Sequence, residues 1–311
     1  MSRGTRAFRE LAASLSSCGN RAPARGLRCV VGLALGALLL AASAAAAADP
    51  VVLAAGDIAD CGLDGRLLTA QILEREPGAI LAIGDLVYPS GRARDFAACY
   101  APSWGRFRDR TYPVPGNRDY ASEHGRPYYA WWGSGARSAT GYYSFDLGAW
   151  HLVGLNSNLT GAEEAAQRRW LAEDLRASAA RCKLAFFHHT IYSSGFHGAT
   201  ARLTPLLRTL YEGRITLALT GHDHHYERFA PMDVDGEIAP RRGIRFFVVG
   251  TGGAQLFPAI FGVRGSEIRE AGSWGVLKLT LHAAGYDWTF LPAGTSQFHD
   301  SGRGDCVAPP P

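Results

Sequence analysis

Six residues with metal-binding side chains stand at five places where a short apolar run gives way to a small polar turn. Asp57 follows the run 50–55 and Gly56. Asp85 follows the run 79–83 and Gly84, and Asn117 follows the run 112–115 and Gly116. His188 ends the run 183–187, and His222 and His224 follow the run 215–219 and Gly221. In layered α/β folds, ligands bind beyond the carboxyl ends of the strands. A glycine just before the polar residue lets the backbone turn sharply there. One Gly-Asp pair is ordinary turn chemistry, but five strand ends of this kind in one chain point to a shared site. Carboxylates, an amide oxygen and imidazoles together suit borderline metals such as Zn, Fe or Mn.

The elements that must position these residues follow from periodicity. Between the first two runs, Leu67, Leu68, Ile72 and Leu73 recur at helical spacing, which predicts strand, helix, strand. Helices are predicted over 165–179, with Ala166, Trp170, Leu171 and Leu175 on one side, and over 205–211, opened by Pro205. Strands are predicted over 142–147, 150–155, 245–249, 276–281 and 287–291. The sequence shows no internal repeat, and the tail 303–311 reads as loose.

Charge separates the N-terminus from the rest. Residues 1–48 hold six Arg and one Glu, leaving 26 basic and 27 acidic residues in the remainder. A nearly neutral body offers no electrostatic footprint for nucleic acid. Arg21, Arg25 and Arg28 precede an apolar or small-residue run, 29–48, that ends in alanines. Basic segment, apolar segment and small-residue cleavage site make a secretory signal, cleaved near Ala48. The alternative is an anchor, since a span needs roughly 20 residues; the alanine-rich last third argues for cleavage. The expected body is one domain, 49–302, secreted or periplasmic, with no membrane attachment after cleavage.

Cysteine usage agrees with export. Of six cysteines, Cys18 and Cys29 leave with the signal, and Cys61, Cys99, Cys182 and Cys306 remain without CxxC spacing. Four cysteines allow three pairings, and the sequence alone does not choose among them. Proximity to the metal-binding turns favours Cys61 with Cys99, which would leave Cys306 to tie the tail to Cys182.

Taken together, Gly56-Asp57, Gly84-Asp85-Leu86-Val87-Tyr88, Gly116-Asn117-Arg118-Asp119, His188 and Gly221-His222-Asp223-His224 resemble the calcineurin-like metallophosphoesterases. Tyr88 makes the chain most similar to the purple acid phosphatase branch. The resemblance implies a four-layer αββα sandwich, two mixed sheets face to face with helices outside. It also implies two metal ions. One would take Asp57, Asp85, Tyr88 and His224; the other would take Asp85, Asn117, His188 and His222, with Asp85 bridging through its two oxygens. Most of the superfamily places a His two residues after the first Asp; here that position is Ala59, and Tyr88 fills the vacancy.

The activity implied is hydrolysis of small-molecule phosphate monoesters by a metal-bound hydroxide, without a covalent serine intermediate. No HExxH, Walker or GxSxG motif offers a different chemistry. Arg118 stands where the family has His. It cannot release a proton, so its role would be to hold phosphate. His197, nine residues after His188, is the candidate proton donor to the leaving group. His189 and His225 each adjoin a ligand and should point away from it, and His124, His151, His282 and His299 read as structural. A phosphodiesterase or nucleotide hydrolase on the same site is the alternative enzyme. A metal-binding module with turnover crippled by Arg118 is the alternative of another class.

Overall fold

The structure, a computed structural model, describes residues 48–307. In chain order the strands are β1 (Val51–Ala55), β2 (Ala79–Ile83), β3 (Thr111–Val114), β4 (Tyr143–Leu147), β5 (Trp150–Gly154), β6 (Cys182–Phe186), β7 (Leu217–Thr220), β8 (Tyr226–Met232), β9 (Ile244–Val249), β10 (Ser266–Glu270), β11 (Gly275–Leu281), β12 (Gly285–Pro292) and β13 (Ser301–Asp305). They form two sheets, in the orders β13-β12-β11-β1-β2-β3 and β10-β8-β9-β7-β6-β5-β4. Both are mixed. In the first, β1 runs parallel to β2 and antiparallel to β11; in the second, β7 runs parallel to β6 and β9, while β4, β8 and β10 pair antiparallel.

The central strands are apolar along nearly their whole length because both faces are covered. Alternate side chains divide between two cores. Leu152, Leu184, Leu219 and Val249 pack with Val52, Leu81 and Leu277 of the facing sheet. Val153, Ala185, Ala218 and Val248 join a second core under the helices Gly161–Ala177 and Thr204–Glu212, which contribute Leu171, Leu175, Leu206 and Leu210. Helix Gly65–Arg75 buries Thr69, Ala70, Ile72 and Leu73 on the first sheet's side. It stops at Glu76, whose extended backbone precedes Pro77. This is the four-layer sandwich that the resemblance implies.

The chain's end departs from expectation. Residues 303–305 are not loose: they belong to β13, which pairs with β12 along Gly285–Thr289. Cys306 is bonded to Cys182, and the Val307 N–H donates to Thr216 Oγ1 at 3.2 Å. The strand has no apolar pattern because its packing comes from missing side chains. A Cβ on Gly302 would lie 2.4 Å from the Trp288 ring, and one on Gly304 2.4 Å from the Tyr286 hydroxyl. Glycines let the edge strand lie flat on those aromatic rings. The predicted export segment lies outside the described residues except for Ala48. None of the described helices is long and apolar enough to cross a membrane.

Cys61 is bonded to Cys99, and the pairs close stretches of 38 and 124 residues. By the chain-entropy argument, replacing Cys61 and Cys99 by Ser should cost about 4 kcal/mol, and replacing Cys182 and Cys306 about 5 kcal/mol. Denaturant unfolding of the two double variants checks both values. Variants as stable as the parent would show that the bridges hold nothing in place.

Candidate metal centre

Every residue of the motif set lies at the same rim, where β1, β2, β3, β6 and β7 end. Backbone hydrogen bonds lock the turns together. Asp57 N–H donates to the Gly84 carbonyl at 3.0 Å, Gly56 N–H to the Val249 carbonyl at 2.9 Å, and Gly221 N–H to the His188 carbonyl at 3.0 Å. The sharp backbone turns are made partly by the chemical residues themselves: φ is +58° at Asp57, +48° at Asp85 and +69° at His222, beside +75° at Gly84. Non-glycine residues adopt this region rarely, and such conformations persist where the surroundings hold them. The glycines mostly serve another need, close approach. A Cβ on Gly116 would lie 2.2 Å from Asp85 Oδ1, and one on Gly221 2.6 Å from Asp57 Oδ2.

The seven predicted ligands form two groups that meet at Asp85. The Tyr88 hydroxyl lies 2.8 Å from Asp57 Oδ1, 3.1 Å from Asp85 Oδ2 and 2.9 Å from His224 Nε2. The other oxygen, Asp85 Oδ1, lies 3.4 Å from His188 Nε2. That nitrogen in turn lies 3.1 Å from Asn117 Oδ1 and 3.3 Å from His222 Nδ1. Asp57, Asp85 and His188 place their ligand atoms within 4.8 Å of one another.

The donor set fits cations because it is short of protons. Tyr88 has one hydrogen for three close neighbours. His188 Nδ1 donates to the Ile83 carbonyl at 3.0 Å and His224 Nδ1 to the Gln255 carbonyl, which aims each Nε2 inward. Burial opposes charge on His188, yet Asp85 and Asp57 outweigh it and hold the imidazole up at about 9. The carboxylates thus call for positive charge at this spot. His222, deprived of charge by burial and by neighbouring His188, is pushed down to about 4 and stays a neutral imidazole. Burial, then Asp57 and Asp85, push the Tyr88 phenol well up, so only a strongly acidic cation would draw off its proton.

The two residues predicted to act on substrate stand at the exposed rim. Arg118 donates its backbone N–H to Asp85 Oδ1 at 2.6 Å, and its guanidinium lies 5.9 Å from the Tyr88 ring centre. The His197 ring lies 4.5 Å from the His222 ring, tilted by 32°. His189 lies beside the cluster instead of pointing away from it, with its ring 4.6 Å from that of His222 and its Nδ1 2.8 Å from Ser157 Oγ, while His225 bonds to Glu227 at 3.0 Å; both follow the ends of their strands, so strand alternation does not govern them. His151, His282 and His299 bond to Asp146 and Asp174, to Asp49 and Asp287, and to Ser301.

Three buried carboxylates carry positioning work that the sequence reading left unassigned. Asp119 accepts from Leu86 N–H at 3.1 Å and Gly116 N–H at 2.8 Å, and so ties the second turn to the third. Asp223 accepts from His197 N–H at 2.8 Å, Gly198 N–H at 3.0 Å and the Ser193 hydroxyl, fixing the segment that carries His197. Glu227 accepts from Ser194 N–H at 2.8 Å, its hydroxyl and that of Ser266. Asp119 and Asp223 sit inside the motifs beside ligands, which was a usable signal; Glu227 gave none.

Asp119→Ala would leave two buried N–H groups unpaired, at about 1–3 kcal/mol each. It should therefore destabilise the protein by about 2–6 kcal/mol, with Asp119→Asn milder because it keeps one acceptor. Equilibrium unfolding measures this, and an Asp119→Ala variant within 0.5 kcal/mol (roughly the scatter of neutral substitutions) of the parent would show that the clamp is idle.

Comparison with known proteins shows the family. Residues 39–226 match the family model for calcineurin-like phosphoesterases. Purple acid phosphatase 15 of Arabidopsis thaliana is 26% identical over 226 residues, 59% of this chain and 41% of that protein. Purple acid phosphatase 23 of the same plant is 25% identical over 216 residues, 55% of this chain and 46% of that protein. The chain thus matches less than half the length of these relatives. Among solved structures, a purple acid phosphatase from yellow lupin seeds superposes with a TM-score of 0.67 at 20% identity, covering 82% of this chain and 53% of that one. Plasmodium GAP50, described as an anchor in the inner membrane complex, superposes with a TM-score of 0.65 at 16% identity, covering 83% and 89%. With the matched model spanning more than half of its length, the chain belongs to the calcineurin-like phosphoesterase family, and its likeness runs to the purple acid phosphatase branch.

Proposed function

We propose that the protein is an exported phosphoesterase that hydrolyses small-molecule phosphate monoesters with two metal ions. The observation that carries this reading is the division of Asp85, one oxygen to Tyr88 and the other toward His188. Asp57, Asp85, Tyr88 and His224 would hold one ion, and Asp85, Asn117, His188 and His222 the other. The donor set suits Fe, Zn or Mn. When bound, the ions would supply Lewis acidity, offsetting charge on the phosphoryl oxygens and activating water. Asp85 keeps the two groups in register. Arg118, always charged, grips phosphoryl oxygens from the rim. His197, held by Asp223 through its backbone, gives its proton to the departing alcohol oxygen.

Export is supported by the basic and apolar pattern of residues 1–48 and by two disulfides, which persist in oxidising compartments. A diesterase on the same ligands remains the alternative reaction, and parallel assay of nitrophenyl and bis-nitrophenyl phosphate separates the two. The GAP50 fold match shows that this architecture also serves a protein described as an anchor. The competing class is a metal-binding role without turnover, with Arg118 standing where the family has His.

Asp85→Asn should lower the metal content of both groups and abolish nitrophenyl phosphate hydrolysis, as should a chelator on the parent. An Asp85→Asn variant with full metal content and activity would remove the bridge from the account. His197→Ala should slow alkyl phosphates by on the order of 100-fold or more and nitrophenyl phosphate far less, because the latter's leaving group departs without a proton. Steady-state kcat on both esters decides it; equal slowing would make His197 a positioning group instead.

A further inference from the structure

Large apolar side chains left in water are few in this protein. Among the described residues they are Leu67, Phe196, Ile238, Ile260 and Phe261. Three of the five come from two segments that meet beside the metal centre. Phe196 is 68% exposed and immediately precedes His197, with the two rings 5.5 Å apart. Ile260 and Phe261, 56% and 53% exposed, belong to the segment between β9 and β10. The segments are joined where Phe261 N–H donates to the Ser194 carbonyl at 2.9 Å.

This lip is held in place. The Phe261 carbonyl accepts from Arg269 at 2.8 Å, so both backbone groups of Phe261 are engaged while its ring faces water. Further back, Phe257 stacks on the ring of His224 at 4.8 Å and 26°, and its N–H donates to the His224 carbonyl at 3.0 Å. The two segments that carry these exposed apolar side chains thus also touch His224 and adjoin the proposed proton donor. Exposed apolar side chains gathered at one place mark a binding surface rather than ordinary scatter.

We propose that this lip binds the leaving group, so that the substrate is a phosphate ester of an alcohol with an apolar body. The inference rests on the phosphoesterase reading and names its substrate class. Whatever covers the lip must fit beside the phosphate site, because Phe196 and Phe257 touch histidines of that site. The non-phosphate half of an ester meets this requirement by construction. A folded partner or a membrane surface would obstruct the entry to the centre.

The test uses the metal-loaded full protein and alkyl phosphonates from ethyl to octyl, which bind without reacting. With each methylene about half buried on the open lip, calorimetry should show affinity rising about twofold per methylene, roughly 60-fold over the series, with an increasingly negative heat-capacity change. Phe196→Ser combined with Phe261→Ser should cut that range below about fivefold while leaving the unfolding temperature unchanged, both side chains being exposed. In parallel, hydrolysis of ethyl and octyl phosphate should favour octyl in kcat/KM. Hydrolysis of both esters with no dependence on chain length would overturn the lip and leave the phosphoesterase reading standing. Absence of hydrolysis of every ester, with no phosphonate bound, would defeat that reading and this proposal with it. Binding of phosphatidylcholine vesicles through Phe196, with flat phosphonate affinities, would reassign the lip to a membrane surface and overturn the proposal.

Discussion

The two oxygens of Asp85 look into two different groups of side chains, with the Arg118 N–H also donating to Oδ1. Oδ2 shares the Tyr88 hydroxyl with Asp57 and His224; Oδ1 faces His188, which itself meets Asn117 and His222. Assembled without cations, the buried carboxylates draw positive charge onto their neighbours, and Asp85 and Asp57 hold His188 up at about 9 against its burial. The fold holds the groups together. Parallel strands buried on both faces fix where each turn begins. Glycines let neighbouring turns come within van der Waals contact. The left-handed conformations at Asp57, Asp85 and His222, of order 1–3 kcal/mol each, are sustained by that packing.

Around this interior the chemistry divides by depth. The ligands are set among backbone hydrogen bonds and the buried carboxylates Asp119, Asp223 and Glu227, which lock the turns rather than meet substrate. Arg118, His197 and the exposed apolar residues stand at the rim, where the proposed substrate would enter. Asp223 links the two zones, since it sits between two ligand histidines and its oxygens accept from the backbone of His197 and Gly198. A substitution at the rim should change which esters are handled; one in the interior should change whether cations are held at all.

Much of this was legible in the sequence, for a physical reason. Strands buried on both faces are short apolar runs, and the residue that ends each run sits at the carboxyl edge, so β1, β2, β3, β6 and β7 announced both the sheets and the site. The groups flanking Asp85 followed from family resemblance, and so did the stacking of two sheets. Other parts were hidden. β13 is built from Ser, Gly, Arg and Asp and packs through what its glycines lack, leaving no apolar period to read. β8 and β10 carry charged residues whose partners lie far away in the chain, such as Arg228 with Asp300 and Glu267. The glycines before the ligands suggested turns made by glycine. Of the four only Gly84 does so, at φ +75°; elsewhere Asp57, Asp85 and His222 take the positive φ, a choice that depends on tertiary contact and not on local propensity.

The central claim is that Asp85 lies between two cations. Crystals of the natively purified protein, measured at absorption edges of Fe, Zn and Mn, test it most directly. The account predicts two anomalous peaks flanking Asp85, one in reach of Asp57, Tyr88 and His224 and the other in reach of Asn117, His188 and His222. A single peak, or none, in protein that hydrolyses phosphate esters would contradict it.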